Sequence, residues 1–166
     1  MKVSKKAKRK AKRGSRPTDP PRYARMTRND AIARLGVGIE REHFDRQLVV
    51  MAEALVAFVT LGAPPHESHF ASPRELVWRV PVDNTVSLLV PRWLPAELGD
   101  DYPRDRGIAL FVRLHEGEPF TFAGRAEPGR WEQELGPQGD VVRAFVRLTL
   151  RALSPRRFEE LRASAT

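Results

Sequence analysis

EREHFDRQLVVMAEALVAFVTL, residues Glu40–Leu61, contains the apolar run Leu48–Leu61, 14 residues interrupted by a charge at Glu53 alone. Phe44, Leu48, Met51, Leu55, Val56 and Val59 recur at helical spacing, and Val49, Val50, Ala54 and Phe58 widen the stripe almost all round. The spacing predicts one long helix over Glu40–Leu61, apolar enough to be buried against a sheet or to meet a partner. The run is too short and too polar to span a bilayer. Gly62, Pro64 and Pro65 end it.

Before this stretch, Thr27 precedes Arg28, Asn29 and Asp30, the pattern of a helix N-cap with an acid at the third position. Ile32 and Leu35 supply the apolar spacing, and Gly36-Val37-Gly38 breaks the segment. Asp30–Gly38 has the outline of the first helix and turn of a helix-turn-helix. However, Glu42 falls where an apolar packing residue is needed, and acids there would repel phosphates.

After the stretch, strand signals dominate. Leu76–Val82 and Val86–Val90 flank the turn Asp83-Asn84. Ile108–His115 and Phe120–Ala126 flank Glu116-Gly117-Glu118-Pro119 and read as a hairpin. Arg130–Leu135 is a short further strand after Pro128-Gly129. In Val141–Leu153 the residues Val142, Ala144, Val146, Leu148, Leu150 and Ala152 face one way, and Arg143, Phe145, Arg147, Thr149 and Arg151 the other. Ser154-Pro155 then opens a short C-terminal helix, Arg156–Ala163. The expected fold is α+β: the long helix packed on a mainly antiparallel, curved sheet of five or six strands, closed by the short C-terminal helix.

Charge divides the chain in two. Residues 1–28 hold twelve basic residues against the single acid Asp19, a net +11, whereas the remaining 17 basic and 20 acidic residues leave −3. The organisation predicted is a disordered basic tail over residues 1–26 and one domain over 27–166. The first 18 residues, MKVSKKAKRKAKRGSRPT, have too little apolar surface to fold alone. Such a run binds polyanions by counterion release, which makes nucleic acid its expected partner, at low sequence specificity. No apolar segment follows it, so it does not read as a secretory signal, and no segment reads as membrane-spanning. A cytoplasmic location is the simplest expectation.

Composition also excludes chemistries. There is no cysteine, which rules out disulfides, thiol nucleophiles and Cys-ligated metals. All six lysines lie between Lys2 and Lys12, so the body has no lysine for a Walker-type phosphate loop, a Schiff base or the usual restriction-nuclease core. Arginine is no substitute, since it stays protonated and is a planar fork. Neither a nucleophile elbow nor a glycine-rich nucleotide fingerprint is present. No cofactor, catalytic residue or metal ligand is assigned.

The segment Arg106-Gly107-Ile108-Ala109-Leu110-Phe111-Val112-Arg113, followed by Glu118-Pro119-Phe120-Thr121-Phe122-Ala123-Gly124-Arg125-Ala126, resembles a strand pair in a domain of unknown function. That domain lies at the C-terminus of some restriction-type helicases with phospholipase-D-like nucleases. Over residues 76–135 the resemblance also takes in Trp78, although Arg79-Val80-Pro81 departs from the family's polar residues after its tryptophan. It implies a DNA-reading or accessory module in defence against foreign DNA, not the nuclease itself.

Candidate nucleic-acid contacts are the tail cations Lys5, Lys6, Lys8, Arg9, Lys10, Lys12 and Arg13, and a ladder of Arg143, Arg147 and Arg151. On one strand face these arginines repeat at about 13 Å, a spacing able to follow a phosphate backbone. Phe145 beside them is a candidate stacking platform. The competing reading pairs the ladder with Glu132 and Glu134 on an adjacent strand. Trp78, Trp131 and Phe120 are candidates for an aromatic pocket, against ordinary core packing.

Two other function classes stay open. One is a small metal-dependent hydrolase or nuclease using His66, His69 and Asp100, Asp101 and Asp105, with His43 or His115 as a third imidazole. The other is an antitoxin or immunity-type factor with a protein partner. A non-enzymatic module anchored to DNA or RNA by its tail is the preferred reading.

Overall fold

The computed structural model describes residues 18–36, 38–52, 54–62, 66–81 and 107–162. The tail cations, the expected strand Val86–Val90 and the cluster Asp100, Asp101 and Asp105 lie outside the described residues. In chain order the elements are β1 (Arg25–Met26), α1 (Arg28–Leu35), β2 (Arg41–His43), β3 (Leu48–Val50), β4 (Leu55–Thr60), β5 (His69–Ser72), β6 (Glu75–Val80), β7 (Ile108–Arg113), β8 (Phe120–Leu135), β9 (Val141–Leu150) and α2 (Pro155–Arg162). The expected α+β fold is therefore corrected to a mostly β fold. Nine strands form one mixed sheet, and the only helices among the described residues are two short ones.

The long helix over Glu40–Leu61 does not form; the stretch makes β2, β3 and β4 instead. The reason lies in burial on both faces. Leu48, Val50, Leu55, Ala57, Val59 and Leu61 join one core cluster, while Val49, Met51, Ala54, Val56 and Phe58 join a second on the opposite side. Alternate residues thus enter different cores, and a strand apolar on both faces reads like a helix apolar all round. Phe44, Asp45 and Arg46 sit at φ of 53°, 52° and 65°, left-handed values that a helix cannot contain, and they turn β2 back into β3. The Gln47 N–H donates to the Phe44 carbonyl at 3.1 Å within that turn, and the Met51 N–H donates to the Ala54 carbonyl at 2.9 Å in the next.

The strand order is β2-β3-β4-β7-β8-β9-β6-β5, with β1 on β8. Every pairing is antiparallel except β4 with β7. Strand β8 belongs to both halves: its first part pairs with β7 up to Ala126, and its second pairs with β9 from Ala126 to Leu135. The expected break at Pro128-Gly129 is a register shift between Pro128 and Trp131 inside one continuous strand. A proline fits there because a bulge does not require its missing N–H.

The two halves face each other across the larger core. Leu48, Val59 and Ile108 from one half join Leu76, Trp78, Val146 and Leu148 from the other in a single cluster. Trp78 is fully buried, with Phe44 set edge-on to it at 5.6 Å. On the outer side of β3, β4, β7 and the start of β8, α1 covers the second cluster with Ala31 and Leu35. Thr27 caps α1 as its sequence predicts, its hydroxyl accepting from the Asp30 N–H at 3.1 Å. In β9 the buried residues are Val141, Ala144, Val146, Leu148 and Leu150, with Val142 exposed. Glu134 pairs with Arg143 and Leu135 with Val141, so Val142 is the extra residue of a bulge in β9, which shifts the phase of the start of that strand.

The segment after Thr18 is fastened to this framework. The Arg125 guanidinium holds the Asp19 carboxylate at 2.6 Å, and Arg25 and Met26 pair with Thr121 and Phe120. Residues 19–26, which the sequence groups with the tail, thus rest on β8. No helix among the described residues is long and apolar enough to cross a membrane.

Candidate functional site

Strand β9 lays out the arginine ladder, and its neighbours supply acids opposite it. Register sets Arg147 across from Val77 on β6, while Glu134 and Glu132 on β8 stand opposite Arg143 and Phe145. The Arg147 guanidinium meets Glu75 at 2.6 Å and Glu132 at 3.1 Å. Hydrogen bonds from it to Glu132, then Glu75, hold its pKa above the ordinary arginine value. Arg143 lies 3.4 Å from Glu134 and 3.7 Å from Glu67. Glu67 in turn holds Arg79 at 2.8 Å and sits at φ 51°, a conformation a non-glycine residue adopts only when its surroundings demand it. Three arginines and four glutamates interlock on this face, so it offers no net positive field to a phosphate backbone.

Arg151, the third rung, differs. It is exposed, and no acid pairs with it among the described residues. The strand ends there, and the chain turns through Ala152 and Leu153 into α2. The Arg22 side chain grips this turn, donating to the carbonyls of Arg151, of Ala152 at 2.9 Å and of Ala123 at 3.0 Å. Tyr23 completes the grip, its hydroxyl oxygen accepting the Ser154 N–H at 2.9 Å. The Arg22 and Arg157 guanidinium groups lie 5.1 and 5.2 Å from the Tyr23 ring centroid.

Helix α2 begins at Pro155 as expected, with the Ser154 hydroxyl accepting from the Arg157 N–H at 3.4 Å. Its first turn carries Arg156 and Arg157 and no acid. The helix dipole favours the reverse arrangement, a cost that pairing within the helix offsets. Glu160 pairs with both, at 2.9 Å each, and the two guanidinium groups lower its pKa below the usual glutamate range.

A cleft of about 260 Å³ opens between β4, β6 and the 66–68 segment, lined by Gln47, Thr60, His66, Ser68, Arg79 and Val142 among others. Its polar groups serve the fold. Gln47 accepts the Trp78 indole N–H at 2.8 Å, and Thr60 accepts from the Arg113 guanidinium at 2.9 Å. Ser68 accepts the Arg79 backbone N–H at 2.9 Å. His66 stands 3.6 Å from the exposed Glu116, while the His69 ring lies 3.3 Å from the Glu67 carbonyl. No group of three metal-ligating side chains is found among the described residues.

The aromatic candidates separate. Phe44 bridges Trp78 and Trp131, with ring centroids 5.6 and 6.3 Å away. Phe120 lies in the other core cluster, 5.0 Å from Phe58 and under the Arg113 guanidinium at 4.5 Å. Trp78 has no exposed surface on which a base could stack.

The sequence reading missed Arg22, Arg74, Arg156 and Arg157 as members of one neighbourhood. The pair Arg156-Arg157 directly after Ser154-Pro155 was a readable signal; the approach of Arg22 to Arg151, 129 residues away, was not. Comparison of the chain with protein-family models and with curated proteins finds no match in either case.

Proposed function

We propose that the chain is a non-enzymatic module that associates with nucleic acid through its basic N-terminal segment, which anchors it to DNA or RNA. The observation that carries this reading is the segregation of charge, with +11 in the first 28 residues and −3 in the rest. Lys5, Lys6, Lys8, Arg9, Lys10, Lys12 and Arg13 are the cations assigned to phosphate, and they act by releasing counterions without reading sequence. The interlocked face of β9 supports the same division of labour, because Arg143 and Arg147 are committed to glutamates. The Asp19–Arg125 pair and the grip of Arg22 fix the root of the basic segment to the sheet. The resemblance of residues 76–135 to a helicase-associated domain suggests an accessory role beside machinery that acts on foreign DNA.

The test is binding of a labelled DNA duplex and a labelled single-stranded RNA, followed by fluorescence anisotropy between about 50 and 200 mM salt. Each phosphate contact adds about −0.9 to the slope of log affinity against log salt on duplex DNA, so engagement of six tail cations gives a slope of about −5. Deleting residues 2–16 should remove most of that slope. Equal affinity and slope in the truncated chain would refute the tail as the anchor.

A further inference from the structure

We propose that Arg74, Arg151, Arg156 and Arg157 form a second cationic surface on the folded body, at the root of the basic segment, and that it takes the phosphate backbone of a nucleic acid. The proposal rests on the nucleic-acid reading above and gives that reading a fixed docking surface.

Contacts around the β9–α2 turn bring these residues together. The Arg74 carbonyl accepts the Leu150 N–H at 2.9 Å, which sets Arg74 beside Arg151. Arg22 donates to the carbonyls of Arg151 and Ala152, and Tyr23 accepts from Ser154, so the segment leading out of the tail wraps the turn from the other side. Arg157 closes the group over the Tyr23 ring. The Arg156 side chain is 87% exposed, and Arg74 and Arg151 are exposed as well.

Charge accounting separates this surface from the interlocked face of β9. Among the described residues, Glu160 is the one acid that pairs with any of these arginines, and it is shared by Arg156 and Arg157. Arg22 adds a further positive charge, because its partners are neutral carbonyls. Several other arginines have acids of their own: Arg28 has Glu42, Arg125 has Asp19, and Arg147 has Glu75 and Glu132, while Arg113 is held by the Thr60 hydroxyl and lies over the Phe120 ring. A cluster of four arginines with one acid among them, next in sequence to a polybasic segment through Arg22, suits a polyanion long enough to touch both. Backbone phosphates meet that description, whereas a single small anion would engage the cluster alone.

The experiment uses the full chain and the same labelled DNA duplex. Arg74, Arg151, Arg156 and Arg157 are replaced together by Gln, and in a second variant by Lys. Arg143→Gln, on the interlocked face, is the control. The Gln variant should bind at least about tenfold more weakly and lose about 2 to 3 from the salt slope, while the Lys variant and the control keep near-native binding. Retention by the Lys variant separates charge from any loss of fold. Unchanged binding by the Gln variant, alongside strong tail-dependent binding, overturns the second surface and leaves the tail reading intact. Equal weakening in the Gln and Lys variants, or by Arg143→Gln, also overturns it. If the native chain binds neither duplex nor single strand, both readings fall.

Discussion

Trp78 donates its indole N–H to the side-chain carbonyl of Gln47 at 2.8 Å, and this bond ties β6 to the turn between β2 and β3. The two residues belong to opposite halves of the folded-over sheet. Their contact depends on the turn by which Glu40–Leu61 leaves β2 and enters β3. Predictions for stability follow from this join and from the ion pairs around it.

Trp78→Ala should lower stability by about 3–5 kcal/mol, the usual cost of deleting a buried large aromatic side chain. Trp78→Phe should cost less, but it leaves the Gln47 carbonyl without its donor, a loss of about 1–3 kcal/mol. Urea unfolding would show both as a shift in midpoint at an unchanged slope. Native stability in Trp78→Ala would contradict its place at the centre of the core.

Asp45→Gly distinguishes the turn from a helix directly. At φ 52° the aspartate occupies a conformation that glycine adopts without steric cost, so the substitution should leave stability unchanged or raise it by up to about 1 kcal/mol. In a helix interior the same change would instead cost about 0.3 kcal/mol. Thermal unfolding of the two chains reads the sign.

Glu42 links stability to pH. A hydrogen bond from Arg28, assisted by the charges of Arg28 and Arg46, lowers its pKa below the ordinary glutamate value. A carboxylate depressed in the folded state contributes stability that is complete above its unfolded pKa of about 4.3 and is lost as pH falls through the folded value. Glu42→Gln should therefore cost no more than about 1 kcal/mol at neutral pH, and the gap from the native chain should close as pH falls below about 4. Melting temperatures measured from pH 7 to pH 3 would show the two curves converging; a gap that widens on acidification would refute the pairing.

Arg147→Gln leaves Glu75 and Glu132 facing each other without the cation between them. It should lower the urea midpoint of unfolding slightly, and Glu132→Gln should lower it less, since Arg147 keeps Glu75. Neither change should alter affinity for duplex DNA. A large loss of binding in Arg147→Gln at unchanged stability would return this face to the nucleic-acid interface.

Local signals carried much of the fold. The Thr27 cap, the Ile108–Ala126 hairpin, the alternation beyond Arg143 and the Ser154-Pro155 helix start each act within a few residues, and each is visible in the sequence. What period alone could not show is that Leu48–Leu61 serves two cores. Burial on both faces removes the polar half of the alternation, leaving only weaker marks, such as the β-branched Val49, Val50, Val56 and Val59, to separate such strands from a buried helix. The phase slip at Val142 was hidden for a related reason: Val142 is the extra residue of a bulge, and its place is set by the pairing of Arg143 and Val141 with Glu134 and Leu135 on β8, in another part of the chain. In the site, the acids opposite Arg143 and Arg147 were partly foreseeable from Glu132 and Glu134. Glu75 and Glu67 arrive through β6 and the 66–68 segment, which only the tertiary fold places there.

The parallel pairing of β4 with β7 joins residues 53 positions apart, as in the Arg113–Thr60 hydrogen bond, with β5 and β6 inside the intervening chain. No local hairpin can template that contact, and the entropy of closing so wide a loop must be met before the pairing returns any energy. Refolding should accordingly be slow, on the milliseconds-to-seconds scale of sheet proteins with distant partners, and a nascent chain must leave that edge of β4 unpaired until β7 has emerged.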